Sequence, residues 1–94
     1  MTAYNIGSGR GTAGSYYDSA NLIFEGVPYA SDDFHVHGEC PSASGGIDDA
    51  QDPNQVRNCR LGDLSDLNQG REHVRDMIRE YLNRLVNYGV AGFR

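Results

Sequence analysis

The sequence predicts an α/β chain made of two unequal parts, a long irregular excursion and, behind it, half of a βαβ unit. Three observations predict this. A 3.6-residue apolar period runs through the last third of the chain, and a short apolar run of small residues follows it. Everything before residue 57 is broken at short intervals by Gly, Ser, Asp and Pro.

The periodic stretch carries Val74, Met77, Ile78, Tyr81, Leu82, Leu85 and Val86 at alternating steps of three and one, which lines one side of a helix. Arg75, Arg79, Glu80, Asn83, Arg84 and Asn87 fill the other side, so the spacing predicts a half-solvated amphipathic helix. Asp66 or Asn68 offers a starting cap, and Gly89 stands where a left-handed stop is wanted. Val90, Ala91, Gly92, Phe93 and Arg94 then read as the start of a buried parallel strand.

Residues 1–20 are punctuated by Gly7, Gly9, Gly11 and Gly14 and read as a mobile loop. Gly9, Gly11 and Gly14 match the letters GxGxxG, but no strand pattern precedes them and no helix pattern follows, which excludes a phosphate-cradling turn. Tyr16, Tyr17 and Asp18 offer either a face for a sugar or a pin for that loop, and pinning is the simpler reading. Asn21 to Phe24 and Asp33 to His37 are short strand-like pieces around a turn at Gly26 to Tyr29. Residues 41–56 are loop again, and the cluster of Asp48, Asp49 and Asp52 lacks the Gly and bidentate Glu of a twelve-residue calcium loop. It reads as solvated.

The first 56 residues hold one basic residue, Arg10, against eight acidic ones, while residues 57–94 hold seven Arg against five acidic residues. Net charge is −5 and Lys is absent. An acidic, Gly-rich front argues against nucleic acid, which needs a basic stripe, and is compatible with a hard cation. Met1 is followed by Thr2, Ala3 and Tyr4, not by the basic and apolar run of a secretory leader, and no apolar stretch is long enough to span a membrane. Cys40 and Cys59 have eighteen residues between them. Spacing leaves a disulfide, worth roughly 3 kcal/mol by chain entropy, and two free thiols both open. His35, His37, Cys40 and Cys59 also offer four N/S donors to zinc, although their spacing fits no established pattern. No G-x-S-x-G or H-E-x-x-H is present.

The string QVRNCRLGDLSDL, from Gln55 to Leu67, with the helix and the closing GVAGFR, resembles the calcium- and chloride-dependent α-amylases of animals. Looser agreement comes from Val27-Pro28-Tyr29, Asp33-Phe34 and the Gly-x-Cys ending at Cys40, while Asp32 stands where that family often has Trp. The resemblance implies an internal fragment of a (β/α)8 TIM barrel. Residues 1–67 would be the domain B excursion between barrel strand three and helix three; residues 68–94 would be barrel helix three, over residues 70–88, and the start of strand four, over residues 90–94.

It also implies roles. Cys40 and Cys59 match the domain B disulfide, which implies a secreted, extracellular protein. Asp66 matches a carboxylate ligand of the structural calcium, and Arg57 a residue whose carbonyl binds the same ion. Arg94 matches the chloride-binding Arg, and Leu61 and Leu64 match apolar positions on the sugar-binding wall. The parent would be a monomeric enzyme acting on starch, glycogen and malto-oligosaccharides, hydrolysing α-1,4-glucosidic bonds with retention, without nucleic-acid or membrane partners. Its nucleophile would follow two residues after Arg94, so the fragment would be inactive alone. The alternatives are a catalytically dead relative that binds or helps transport carbohydrate, and a small zinc module.

Overall fold

In the computed structural model, residues 7–62 and 64–94 are described. Three short strands come first: β1 (Ser8–Arg10), β2 (Tyr16–Asp18) and β3 (Ile23–Phe24). They form an antiparallel sheet in the order β1-β2-β3, with Gly9 opposite Tyr17 and Tyr17 opposite Phe24. The mobile loop expected over residues 7–20 is therefore a hairpin; the part of that expectation covering residues 1–6 lies outside the described residues. Its turn closes through Gly11 N–H to the Ser15 carbonyl and Gly14 N–H to the Gly11 carbonyl. Gly14 sits at φ +92°, where a side chain is strained, and a Cβ on Gly9 would stand 2.8 Å from the Tyr17 hydroxyl oxygen. The glycines thus serve a tight hairpin and not a phosphate.

Asp33 to His37 is not a strand. Two 3-10 turns, Ser31–Asp33 and His37–Glu39, occupy the region. Between them, residues 33–35 run antiparallel to residues 66–68: Asn68 N–H donates to the Asp33 carbonyl, Phe34 bridges Leu67, and His35 N–H donates to the Asp66 carbonyl. The two histidines expected on one strand face are thus on different elements.

The loop expected over residues 41–56 contains the start of a helix, α1 (Pro53–Asn58). Asp52 caps it by accepting from Asn54 N–H, and Pro53 occupies the first turn, where its missing donor costs nothing. Asp48 accepts from the Ser44 hydroxyl and Asp49 from Gln51 N–H, so each carboxylate of the cluster closes local structure.

The long helix, α2 (Glu72–Asn87), lies two residues inside the expected start and one inside the expected end. Arg71 is its N-cap residue and gives no side-chain cap, so neither Asp66 nor Asn68 caps it. Asn68 instead accepts from Gly70 N–H to form the turn that precedes the helix. At the other end Gly89 takes φ +99°, with Gly89 N–H on the Val86 carbonyl and Val90 N–H on the Leu85 carbonyl. That pair of bonds is a Schellman stop. The short parallel strand expected from Val90 to Arg94 is absent: these residues are exposed and irregular. A strand needs a hydrogen-bonded neighbour, and none of the described residues provides one.

Leu22, Phe34, Cys59 and Val74 are the buried apolar residues, and Phe24 packs on Phe34 with ring centroids 5.4 Å apart. A polar clasp joins this small core to α2. The buried Asp33 carboxylate accepts from Ala30 N–H at 2.9 Å and from Arg71 Nε at 3.1 Å, while Arg71 Nη2 donates to Asp32 at 3.2 Å. His73 Nε2 donates to the Pro28 carbonyl at 2.9 Å and lies 3.5 Å from Asp33. The first turn of α2 therefore grips the segment from Pro28 to Asp33.

Candidate functional site

A cleft of about 500 Å3 opens beside the end of α1 and is lined by His35, Val56, Arg57, Asn58, Asp66, Asn68, Gln69 and Gly70. Three elements build it. The end of α1 brings Arg57 and Asn58; the antiparallel pairing of residues 33–35 with 66–68 brings His35 and Asp66; the turn before α2 brings the rest. Helix α1 ends at Asn58, and an α-helix leaves its last four carbonyls without intrahelical partners. The Arg57 carbonyl accepts no hydrogen bond from the described residues. Its acceptor is left over, which is what a cation ligand requires.

The Asp66 carboxylate is partly exposed and held from one side. His35 Nδ1 lies 2.8 Å from Asp66 Oδ2. A carboxylate next to an imidazole nitrogen accepts, so Nδ1 carries the hydrogen. No second hydrogen bond to that carboxylate exists among the described residues. Asp66, expected also as a helix cap, is committed to His35 instead.

Arg57 and Asp66, nominated together by the resemblance, line this same cleft. Leu61 and Leu64 do not line it; they bracket the next turn, where Leu64 N–H donates to the Leu61 carbonyl and Leu61 is 67% exposed. Arg94 is exposed beyond α2, away from the cleft lining. Cys40 and Cys59 form a disulfide with 4.7 Å between their Cα atoms. That overturns the zinc reading of His35, His37, Cys40 and Cys59: two of the four donors are consumed by each other, and the side chain of His37 lies outside the described residues. Sequence reasoning missed Asn58, Asn68 and Gln69 and saw His35 only as a zinc donor, because the residues that meet here are up to 35 positions apart and share no periodic pattern.

The donor chemistry suits calcium. Asp66 carries a carboxylate, Arg57 a carbonyl that accepts no hydrogen bond from the described residues, and Asn58, Asn68 and Gln69 carry side-chain amides, and oxygen donors of these kinds are hard ligands. Among the described residues no three His, Cys, Asp or Glu side chains converge to hold a metal. Neutral oxygens would have to complete the shell, and of the three amide residues at the cleft Asn68 already accepts from Gly70 N–H.

No family model matches the chain. Curated relatives do. It is 47% identical over 87 residues to an α-amylase of Dermatophagoides pteronyssinus, covering 93% of this chain and 18% of that protein. It is 47% identical over 95 residues to the pancreatic α-amylase of Sus scrofa, covering 100% and 18%, and 52% identical over 87 residues to an α-amylase of Phaedon cochleariae, covering 93% and 16%. Among solved structures, wild-type α-amylase I of Eisenia fetida superposes with a TM-score of 0.87 at 46% identity, covering 100% of this chain and 18% of that one. A mutant of that amylase in complex with maltohexaose matches equally well. The chain thus spans less than a fifth of the length of the relatives it matches.

Fold and sequence together define the class: the chain has the structure of a segment of an α-amylase. More narrowly, along its whole length it is homologous to a segment of the animal α-amylases.

Proposed function

We propose that this chain is the calcium-holding excursion and adjoining barrel helix of a secreted animal α-amylase that hydrolyses α-1,4-glucosidic bonds in starch, glycogen and malto-oligosaccharides with retention. The observation that carries the reading is that Asp66 and Arg57, whose carbonyl accepts no hydrogen bond from the described residues, line one cleft. In this reading residues 1–67 are the domain B excursion and residues 68–94 are barrel helix three and a stretch, irregular here, that becomes strand four only where a neighbouring strand pairs with it. A calcium ion, when bound, supplies the positive charge that ties the end of α1 to the stretch around Asp66. Arg57 offers its carbonyl and Asp66 its carboxylate, and the resemblance implies that the remaining protein ligands, an Asn at the end of strand three and a carbonyl after strand four, lie outside this chain.

Leu61 and Leu64 are assigned to the sugar-facing wall, which their exposed and half-exposed side chains support. Arg94 is assigned to chloride, whose binding beside the catalytic carboxylates would bias their ionisation. The nucleophile and the acid/base carboxylate, which retaining enzymes hold about 5 Å apart, are assigned outside this segment. Isothermal titration of calcium into the complete, chelator-stripped enzyme tests the cation reading. Wild type is expected to bind one ion in this cleft and Asp66→Asn to bind at least tenfold more weakly, since one charged ligand is removed from a site with a single carboxylate. Equal affinity in the two proteins would remove Asp66 from the site.

A further inference from the structure

We propose that His35 is the positioning residue of this cation site, holding the Asp66 carboxylate in its ligating orientation through the bond from Nδ1 to Oδ2. The inference rests on the cation reading above and adds a residue that the resemblance did not nominate.

The backbone sets the pair. Residues 33, 34 and 35 run opposite 68, 67 and 66, so His35 and Asp66 face each other directly, and side chains of directly opposed residues project on the same side of a ladder. Two bonds then link the same two residues: main-chain N–H to carbonyl at 2.8 Å and imidazole Nδ1 to carboxylate at 2.8 Å. The first fixes where the carboxylate starts, and the second fixes how it is turned. With Oδ2 occupied by His35, Oδ1 is the oxygen left without a hydrogen-bond partner among the described residues. His35 itself is 8% exposed, so the imidazole is withdrawn from water beside the carboxylate it holds. Asp66 is partly exposed at the cleft wall, and without this restraint its carboxylate would turn freely.

A metal-ligating carboxylate is commonly hydrogen-bonded from behind, and removing such a partner weakens metal affinity by about 10–100-fold. Calcium titration into the complete, chelator-stripped enzyme, with three variants, tests the assignment. His35→Leu keeps a buried side chain of similar reach but has no donor, and it is expected to weaken calcium by at least tenfold. His35→Asn has nearly the shape of Leu and restores an N–H donor, and it is expected to stay within about threefold of wild type. Asp66→Asn is the control for the site. Far-UV circular dichroism and the absence of titratable thiol check folding; if His35→Leu fails that check, His35→Phe takes its place.

Wild-type affinity in His35→Leu, with binding weakened in Asp66→Asn, overturns the positioning role and leaves the cation site standing. Equal weakening in the Leu and Asn variants also overturns it, because packing of the ring and not its donor would then matter. If wild type takes up no calcium, or Asp66→Asn binds as tightly as wild type, the cation reading fails first and the inference falls with it.

Discussion

At the scale of single residues, Asp33 concentrates more interactions than any apolar side chain in the excursion. It is 2% exposed, and its carboxylate accepts from the Ala30 N–H and from Arg71 Nε, with His73 Nε2 3.5 Å away. Removing it leaves those donors without their acceptor. Asp33→Ala is expected to destabilise the complete protein by about 2–3 kcal/mol, the range for hydrogen bonds to a charged group. Urea unfolding of wild type and variant measures it, and a change under 0.5 kcal/mol, the level of an ordinary surface substitution, would show the clasp to be ornamental. Asp18 makes a different claim. The Asn21 side chain, then the backbone N–H groups of Asn21 and Ala20, hold its carboxyl below the ordinary value of 3.8. A lowered folded-state pKa means the contribution is complete above the ordinary carboxylate value and is lost as pH falls through the lower one. The Ala20 and Asn21 amide resonances are therefore expected to titrate with a midpoint below 3.8, and a midpoint at or above it would contradict the turn. Asp18 was legible as a residue that pins its loop, whereas Asp33 read as part of a strand, and its partners Arg71 and His73 lie 38 and 40 positions away.

At the scale of elements, legibility followed the strength of the local signal. Helix α2 was readable because seven apolar residues keep one period and Gly89 supplies a left-handed stop. Gly89→Val is expected to cost about 1 kcal/mol or more, since a β-branched residue is forced to positive φ. A thermal melt of the complete protein measures it, and an unchanged midpoint would mean that α2 ends elsewhere in solution. The β1–β2 hairpin was not readable, because Ser8, Gly9 and Arg10 show no apolar alternation; turn geometry and the fit of the Tyr17 ring over Gly9 set its register instead. Helix α1 was hidden for a related reason. It is one and a half turns long, with none of its residues buried, and its signals are only Asp52 and Pro53 at the start. The cleft between them was half readable: Arg57 and Asp66 came from a resemblance, whereas the His35 pairing depends on a ladder that no propensity marks.

At the scale of the whole molecule, few side chains are removed from water. Val74 is the one large side chain fully buried among the described residues, while Tyr81, Val86, Tyr88 and Phe93 are each more than half exposed along and after α2. Such an apolar face gains nothing until other chain covers it. The 94-residue chain purified by itself is therefore expected to give poor chemical-shift dispersion, no cooperative melt and no turnover of soluble starch. A sharp calorimetric transition would show that the clasp and disulfide suffice without a larger core. Among the described residues no helix is long and apolar enough to cross a membrane.

The Cys40–Cys59 bond closes a loop whose residues are mostly exposed, and on either side of it the backbone is paired again where Phe34 meets Leu67. A protease that cuts once anywhere from residue 41 to residue 58 would therefore release nothing. The two pieces would migrate together on a non-reducing gel and separate only after a reductant, so that digestion in an oxidising medium nicks this region without dismembering it.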